Sequence, residues 1–128
     1  MTRSRASAKK AGTAFETAIA DYLAEHVDDR IERRTTNGAN DRGDISGLRH
    51  MGGRVVVECK NAARVDLAGW TAEAELERGN DDALAGLVVH KRHGNGKAGD
   101  QWVTCTVDNL IALLNGERPG ALIIVRPL

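Results

Sequence analysis

The chain has 128 residues, 41% of them hydrophobic, with 18 basic and 18 acidic side chains and no formal net charge. This is enough apolar material for one core and suits one domain, while the even charge balance argues against a polycation that coats nucleic acid and leaves room only for a local basic face. No apolar run reaches membrane-spanning length, no signal-peptide core follows the basic start, and Cys59 and Cys105 form no C-x-x-C pair, so both read as reduced thiols in strands of a cytoplasmic protein.

Residues 1–10 carry Arg3, Arg5, Lys9 and Lys10 and no acid. They read as a flexible basic arm that either touches phosphates or solubilises the terminus. Residues 11–128 are expected to form the single domain. From Ala11 to about His26, Phe15, Ile19, Leu23 and Val27 recur at helical spacing. With Phe15 at zero and about 100° per residue, Val27 falls near ~120° and Glu16 near ~100°, inside the apolar stripe. An inward carboxylate is costly unless it is paired or bound to metal. The alternative is an acid near the helix start that reaches solvent, which the helix dipole favours.

Asp29–Thr36 is expected to be a strand around Ile31, delivering Arg33 and Arg34 into a polar loop that runs through Arg42 to Gly43. Such a loop suits contacts to a phosphate backbone, or is an ordinary polar connection. The stretches Gly43–Leu48 and Arg54–Lys60 read as a hairpin joined by Arg49–Gly53. Centred on Met51, that hairpin pairs Asp44 with Glu58, and directly opposed residues have Cβ atoms about 4.5–5.5 Å apart. Alternation adds Lys60 to the same face and turns Val57 and Cys59 away. Two carboxylates that close repel each other unless a cation lies between them, and a hard divalent ion is the obvious candidate. An amine beside it can act on water or stabilise charge on a phosphate. This is chemistry for phosphodiester hydrolysis. The bland alternative is an edge hairpin with a Glu–Lys pair and an unrelated turn aspartate.

Asp66 is a plausible N-cap for a helix to about Arg78 with Leu67, Trp70 and Ala74 on one face. Glu73, Glu75 and Glu77 are expected on its solvated side, with the approach of one of them to the metal left open. Ala85–Lys91 reads as a buried strand and Gln101–Val107 as the next. The basic, glycine-rich hairpin tip between them carries Lys91, Arg92 and Lys97 and suits DNA contact. His90 and His93 lack a third ligand at a suitable spacing and make a weak metal pair. Asp108 is expected to cap a short helix closed at Asn115-Gly116, and Ala121–Val125 to be a last strand.

A helix bearing Glu16, a strand, Gly43-Asp44, a hairpin, Glu58-Cys59-Lys60, a helix and a strand pair, in that order, resembles the PD-(D/E)XK nuclease superfamily. The short length and the Glu-Cys-Lys triplet look most like the archaeal-type Holliday junction resolvases and their phage or bacterial relatives. The resemblance covers roughly residues 11–107, and Gly43 stands where the family has its proline. It implies an α/β (mixed α+β) fold, a restriction-endonuclease-like core with a central mixed sheet of about five strands flanked by helices. It implies catalytic roles for Glu16, Asp44, Glu58 and Lys60, with Mg²⁺ or Mn²⁺ on Asp44, Glu58 and Glu16. It also implies a homodimer acting on four-way DNA junctions, in recombination, repair or phage DNA processing, in the cytosol of a bacterium or an infected host. Arg33, Arg34, Arg42, Lys91, Arg92 and Lys97 would position phosphates. The alternatives are a nuclease of the same superfamily on linear or single-stranded DNA, and a DNA-binding module without catalysis. An inward Glu16 tells against the last.

Overall fold

The computed structural model describes residues 4–35 and 42–120. The elements, in chain order, are α1 (Arg5–His26), β1 (Glu32–Arg33), β2 (Ile45–Ser46), β3 (Arg49–His50), β4 (Gly53–Lys60), α2 (Leu67–Asn80), β5 (Ala85–His90), β6 (Trp102–Thr104) and α3 (Val107–Asn115). The fold is mixed α+β. Four strands form one sheet in the order β3-β4-β5-β6, and β1 pairs with β2 in a separate ribbon.

The sheet is organised around β4. Its Val55–Cys59 segment is buried throughout, as expected of a central strand covered on both faces. β4 runs parallel to β5, from Val55↔Ala85 to Lys60↔His90, and α2 is the crossover between them. One face presents Val57 and Cys59 to Phe15 and Ile19 of α1. On the other, Val88 packs against Trp70 and Ala74 of α2. β6 then pairs antiparallel with β5, so the chain from His90 to Trp102 is a hairpin connection, as expected.

α1 starts at Arg5, six residues before the expected Ala11, because Ser4 caps it by accepting from the Ser7 amide at 3.1 Å. Arg5, Lys9 and Lys10, read as part of a flexible arm, lie exposed on its opening turns. α2 has the expected Asp66 cap. α3 is capped by Thr106 rather than Asp108, and ends on Gly116 in the left-handed region as expected. The expected last strand and residues 36–41 of the expected polar loop lie outside the described residues. Cys59 is buried and Cys105 half-buried, both as free thiols. Among the described residues no helix is long and apolar enough to cross a membrane.

The central hairpin differs from expectation in a way that matters for the site. Its turn is the two-residue Met51-Gly52, both with positive φ, and the register is His50↔Gly53 and Arg49↔Arg54. The ladder then breaks at Gly47, with φ +87°, where an added Cβ would lie 2.7 Å from the Arg30 carbonyl oxygen. Beyond that glycine the chain stays beside β4 but no longer forms a ladder with it, and β2 pairs with β1 through Glu32↔Ser46 and Arg33↔Ile45. Asp44 is therefore not the ladder partner of Glu58. Its amide donates to the Val57 carbonyl at 2.8 Å.

The two glycines separate close approach from conformational strain. Gly52→Ala, with open space around its Cβ, should lower stability by about 1–2 kcal/mol for the left-handed backbone alone. Gly47→Ala should lose clearly more, because Arg30 must also move. Urea denaturation of the two variants checks this, and equal losses would mean that the strand break tolerates a side chain.

Candidate active site

The C-terminal end of β4 carries Glu58 and Lys60 on the face opposite Val57 and Cys59. That face lies under α2, so the acid is desolvated: Glu58 is only 5% exposed. Its Oε1 lies 3.5 Å from Lys60 Nζ, and its Oε2 is buried with no hydrogen-bond partner among the described residues. Lys60 Nζ donates to Glu73 Oε2 at 2.6 Å. Glu58, Glu73 and Glu77 each bring a carboxylate oxygen within 4.8 Å of the others, and this is the one three-acid group so close among the described residues. Glu75 points elsewhere, to Arg78 and Arg118.

Asp44 approaches from the other side and is 4% exposed. Its Oδ2 accepts from the Cys59 amide at 2.7 Å, and its carbonyl accepts from the Arg34 amide at 2.7 Å. The Glu16 carboxyl is near enough to push its pKa up. Glu16 does point inward, with its side chain 16% exposed, and its Oε2 accepts from Arg33 Nε at 3.1 Å. The acids thus fall into two groups, Glu16 with Asp44 and Glu58 with Glu73 and Glu77. Repulsion between Asp44 and Glu58 couples them. Glu16, Asp44 and Glu58 do not form a set as tight as Glu58, Glu73 and Glu77.

The electrostatics follow from this burial. Desolvation first, then the Glu58 and Glu16 carboxyls, push Asp44 up to about 9 against the opposing Cys59 amide. Desolvation first, then Glu77 and Glu73, push Glu58 up to about 9 against the opposing Lys60 charge. Burial works against the ammonium of Lys60, yet the hydrogen bond to Glu73 and the surrounding carboxylates hold its pKa above the usual lysine value. Burial pushes the Cys59 thiol up and leaves it a poor nucleophile.

A hard divalent cation fits this donor set. The site offers several oxygen ligands, one of them a buried carboxylate oxygen without a partner, in a cluster whose negative charge is only partly met by Lys60 and Arg33. The two histidines do not contribute as a pair. Buried His90 meets Thr104 Oγ1 at 2.8 Å and lies tilted against the Trp70 ring, and burial lowers its pKa, whereas His93 meets the Ala62 carbonyl.

The basic residues expected to touch DNA divide sharply. Arg33 is committed to Glu16. Lys91 sits beside the site, its amide donating to the Lys60 carbonyl at 2.9 Å, but its amine donates to the Arg92 and Asn95 carbonyls within its own loop. Arg92 lies 4.7 Å over the Trp102 ring, Lys97 is exposed, and Arg34 and Arg42 line a separate cleft.

Glu77, expected on a solvated face, is instead buried, whereas Glu73 keeps a 42% exposed side chain while reaching Lys60, the approach that was left open. A signal for them was present in the sequence. With Trp70 at zero, about 100° per residue puts Ala74 near ~40°, Glu77 near ~340° and Glu73 near ~300°, all on the inward side of α2.

The raised carboxyls make stability depend on pH with a definite sign. The ordinary values are 3.8 for Asp44 and 4.5 for Glu58, and both rise to about 9 in the fold. Across that interval the folded state keeps protons that the unfolded chain has released. Their contribution is full below about pH 4 and is lost as pH rises to about 9. Thermal melts in EDTA should therefore show Tm falling towards alkaline pH, with a shallower fall in Glu58→Gln. Mg²⁺ should restore Tm at alkaline pH in the wild type and not in Glu58→Gln. Identical pH profiles for the two proteins would remove this assignment.

The chain matches no family model, and neither a characterised protein nor a solved structure is significantly similar to it.

Proposed function

We propose that the protein is a metal-dependent endodeoxyribonuclease with a restriction-endonuclease-like core, hydrolysing phosphodiesters of branched DNA, with the four-way junction as the favoured substrate. The observation that carries this reading is a pair of buried acids, Asp44 and Glu58, beside the ammonium group of Lys60 at the C-terminal end of a parallel strand pair. Open α/β sheets bind ligands at that end of their strands. A cluster of acids there, with an unpartnered oxygen and a fixed amine, is hard to explain as a structural feature alone.

Asp44 and Glu58 would hold Mg²⁺ or Mn²⁺, with Glu16 supporting Asp44 from behind and Glu73 and Glu77 closing the opposite side. When bound, the metal supplies an activated water and charge neutralisation at the scissile phosphate. The chain's own groups do the rest. Lys60 keeps its proton, since the carboxylates around it favour the charged form. Its ammonium, held by Glu73, would serve as a hydrogen-bond donor that orients the attacking water or stabilises charge building on phosphate oxygens. Glu73 fixes the direction of that ammonium group through its 2.6 Å contact. Arg33 neutralises Glu16 and so limits the total repulsion at Asp44. A homodimer suits the substrate, because opposed strands of a four-way junction need two cuts related by two-fold symmetry.

Synthetic four-way junction, flap, duplex and single strand, each incubated with Mg²⁺, Mn²⁺ or EDTA, test this reading. Nicking should require the metal and be fastest on the junction. Asp44→Asn and Glu58→Gln should each slow it by about 10²-fold or more, with DNA binding retained. Faster cutting of duplex or single strand would keep the nuclease and discard the resolvase. DNA binding without nicking under any of these conditions would leave a non-catalytic binding module.

A further inference from the structure

At the opposite end of β4 the same sheet edge holds a cleft of about 150 Å³, lined by Arg34, Arg42, Arg49 and Arg54, with Asp81 the one acid among the described residues that line it. Asp81 is buried and already engaged. It accepts from Arg54 Nε at 3.1 Å, and Arg42 Nη1 lies 3.7 Å from its Oδ1. Among the described residues, four guanidinium groups against one carboxylate leave a formal excess of three positive charges around a small space.

Two further features suit an anion at this place. Arg49 and Arg54 are direct partners across the β3–β4 ladder, and like charges directly opposed on a ladder are destabilising. Asp81 relieves only the Arg54 side. Arg34 Nε is buried with no hydrogen-bond partner among the described residues, an expensive state for a charged donor. One tetrahedral anion with several acceptor oxygens would answer both, and guanidinium forks match phosphate oxygens in geometry as well as charge.

We infer that this cleft seats a backbone phosphate of a nucleic-acid strand, at a point distinct from the acid cluster. The position favours a strand over a free phosphate. Arg54 lies four residues from Glu58 on the same face of β4, about 13 Å away at ~3.3 Å per residue. The Arg34 amide bonds the Asp44 carbonyl, and Arg42 precedes Asp44 by two residues, so the edge that carries the acid also leads to the cleft. A strand crossing the acid cluster would be anchored there by a phosphate away from the point of cutting, which sets register without reading bases. The choice of nucleic acid rests on the nuclease reading above, whereas the phosphate chemistry does not.

Fluorescein-labelled duplex DNA, titrated by anisotropy in EDTA over a series of salt concentrations, tests it. Arg34→Ala and Arg49→Ala should each weaken binding several-fold at low salt and reduce the steepness of the log–log salt dependence by about one. Arg49→Lys should keep the steepness and bind between Arg49→Ala and wild type. Arg30→Ala, which removes a surface guanidinium paired with Asp28, should leave both quantities unchanged. Melting curves confirm that each variant is folded. Wild-type steepness in Arg34→Ala and Arg49→Ala, or an equal drop in Arg30→Ala, overturns the inference. So does pyrophosphate that raises the wild-type Tm and not that of Arg49→Ala while the DNA titrations are unaffected, since the cleft would then take a free phosphate. The titrations need no cutting. Nicking with unchanged salt dependence would remove only the cleft, and altered salt dependence without nicking would remove only the nuclease reading.

Discussion

A strand with both faces covered gives a charged side chain no route to water, and β4 is such a strand. Its Val55–Cys59 segment lies between α1 and α2 and pairs with β5 along its length. A glutamate at Glu58 is therefore stripped of solvent by the same packing that makes the core. Burying an isolated carboxylate is prohibitive, so it must be protonated, paired or bound to a cation. The rest of the site consists of what surrounds that carboxylate: Lys60 two residues on, Glu73 and Glu77 above it on α2, and Asp44 beside it.

The surroundings do not neutralise the carboxylate fully. Lys60 is shared between Glu58 and Glu73, and Arg33 is occupied by Glu16. Among the described residues the Asp44 carboxyl has one backbone amide, that of Cys59, rather than a cation for company. Without a metal the outcome is proton retention, which is why both buried acids stand near 9. A fold selected for stability alone would be better served by apolar residues at these positions. The expense is understandable if the acids await a divalent ion, and that is the physical content of the nuclease reading.

The zero net charge conceals a separation of sign along one edge of the molecule. Acids gather at the C-terminal end of β4, and arginines at its N-terminal end. The arginines sit closer than like charges favour, and the buried acids escape the same repulsion by keeping protons. In the proposed complex a phosphate strand would supply negative charge where the arginines are, and a divalent cation positive charge where the acids are, so that one bound complex would relieve both.

Much of the frame was readable from local chemistry. Asp66 caps α2 because a carboxylate there satisfies an open amide, and Gly116 closes α3 because it accepts a left-handed backbone. The valine run of β4 announces a buried strand. Period alone places Glu16 inward, because a helix maps sequence spacing directly onto direction in space. α1 begins earlier than its apolar spacing implies because Ser4, set among basic residues, is a good cap. What the tertiary structure decided concerns residues far apart in the chain. The ladder break at Gly47 depends on Arg30 lying against it, and it removes the ladder pairing of Asp44 with Glu58 that hairpin symmetry suggests. Glu73 and Glu77 meet Glu58 only because the crossover lays α2 over β4, and Arg34, Arg42, Arg49 and Arg54 meet only where the sheet edge brings a loop against a hairpin. Sequence spacing governs direction within an element. Which element faces which is settled by packing, and packing joins residues that no local pattern connects.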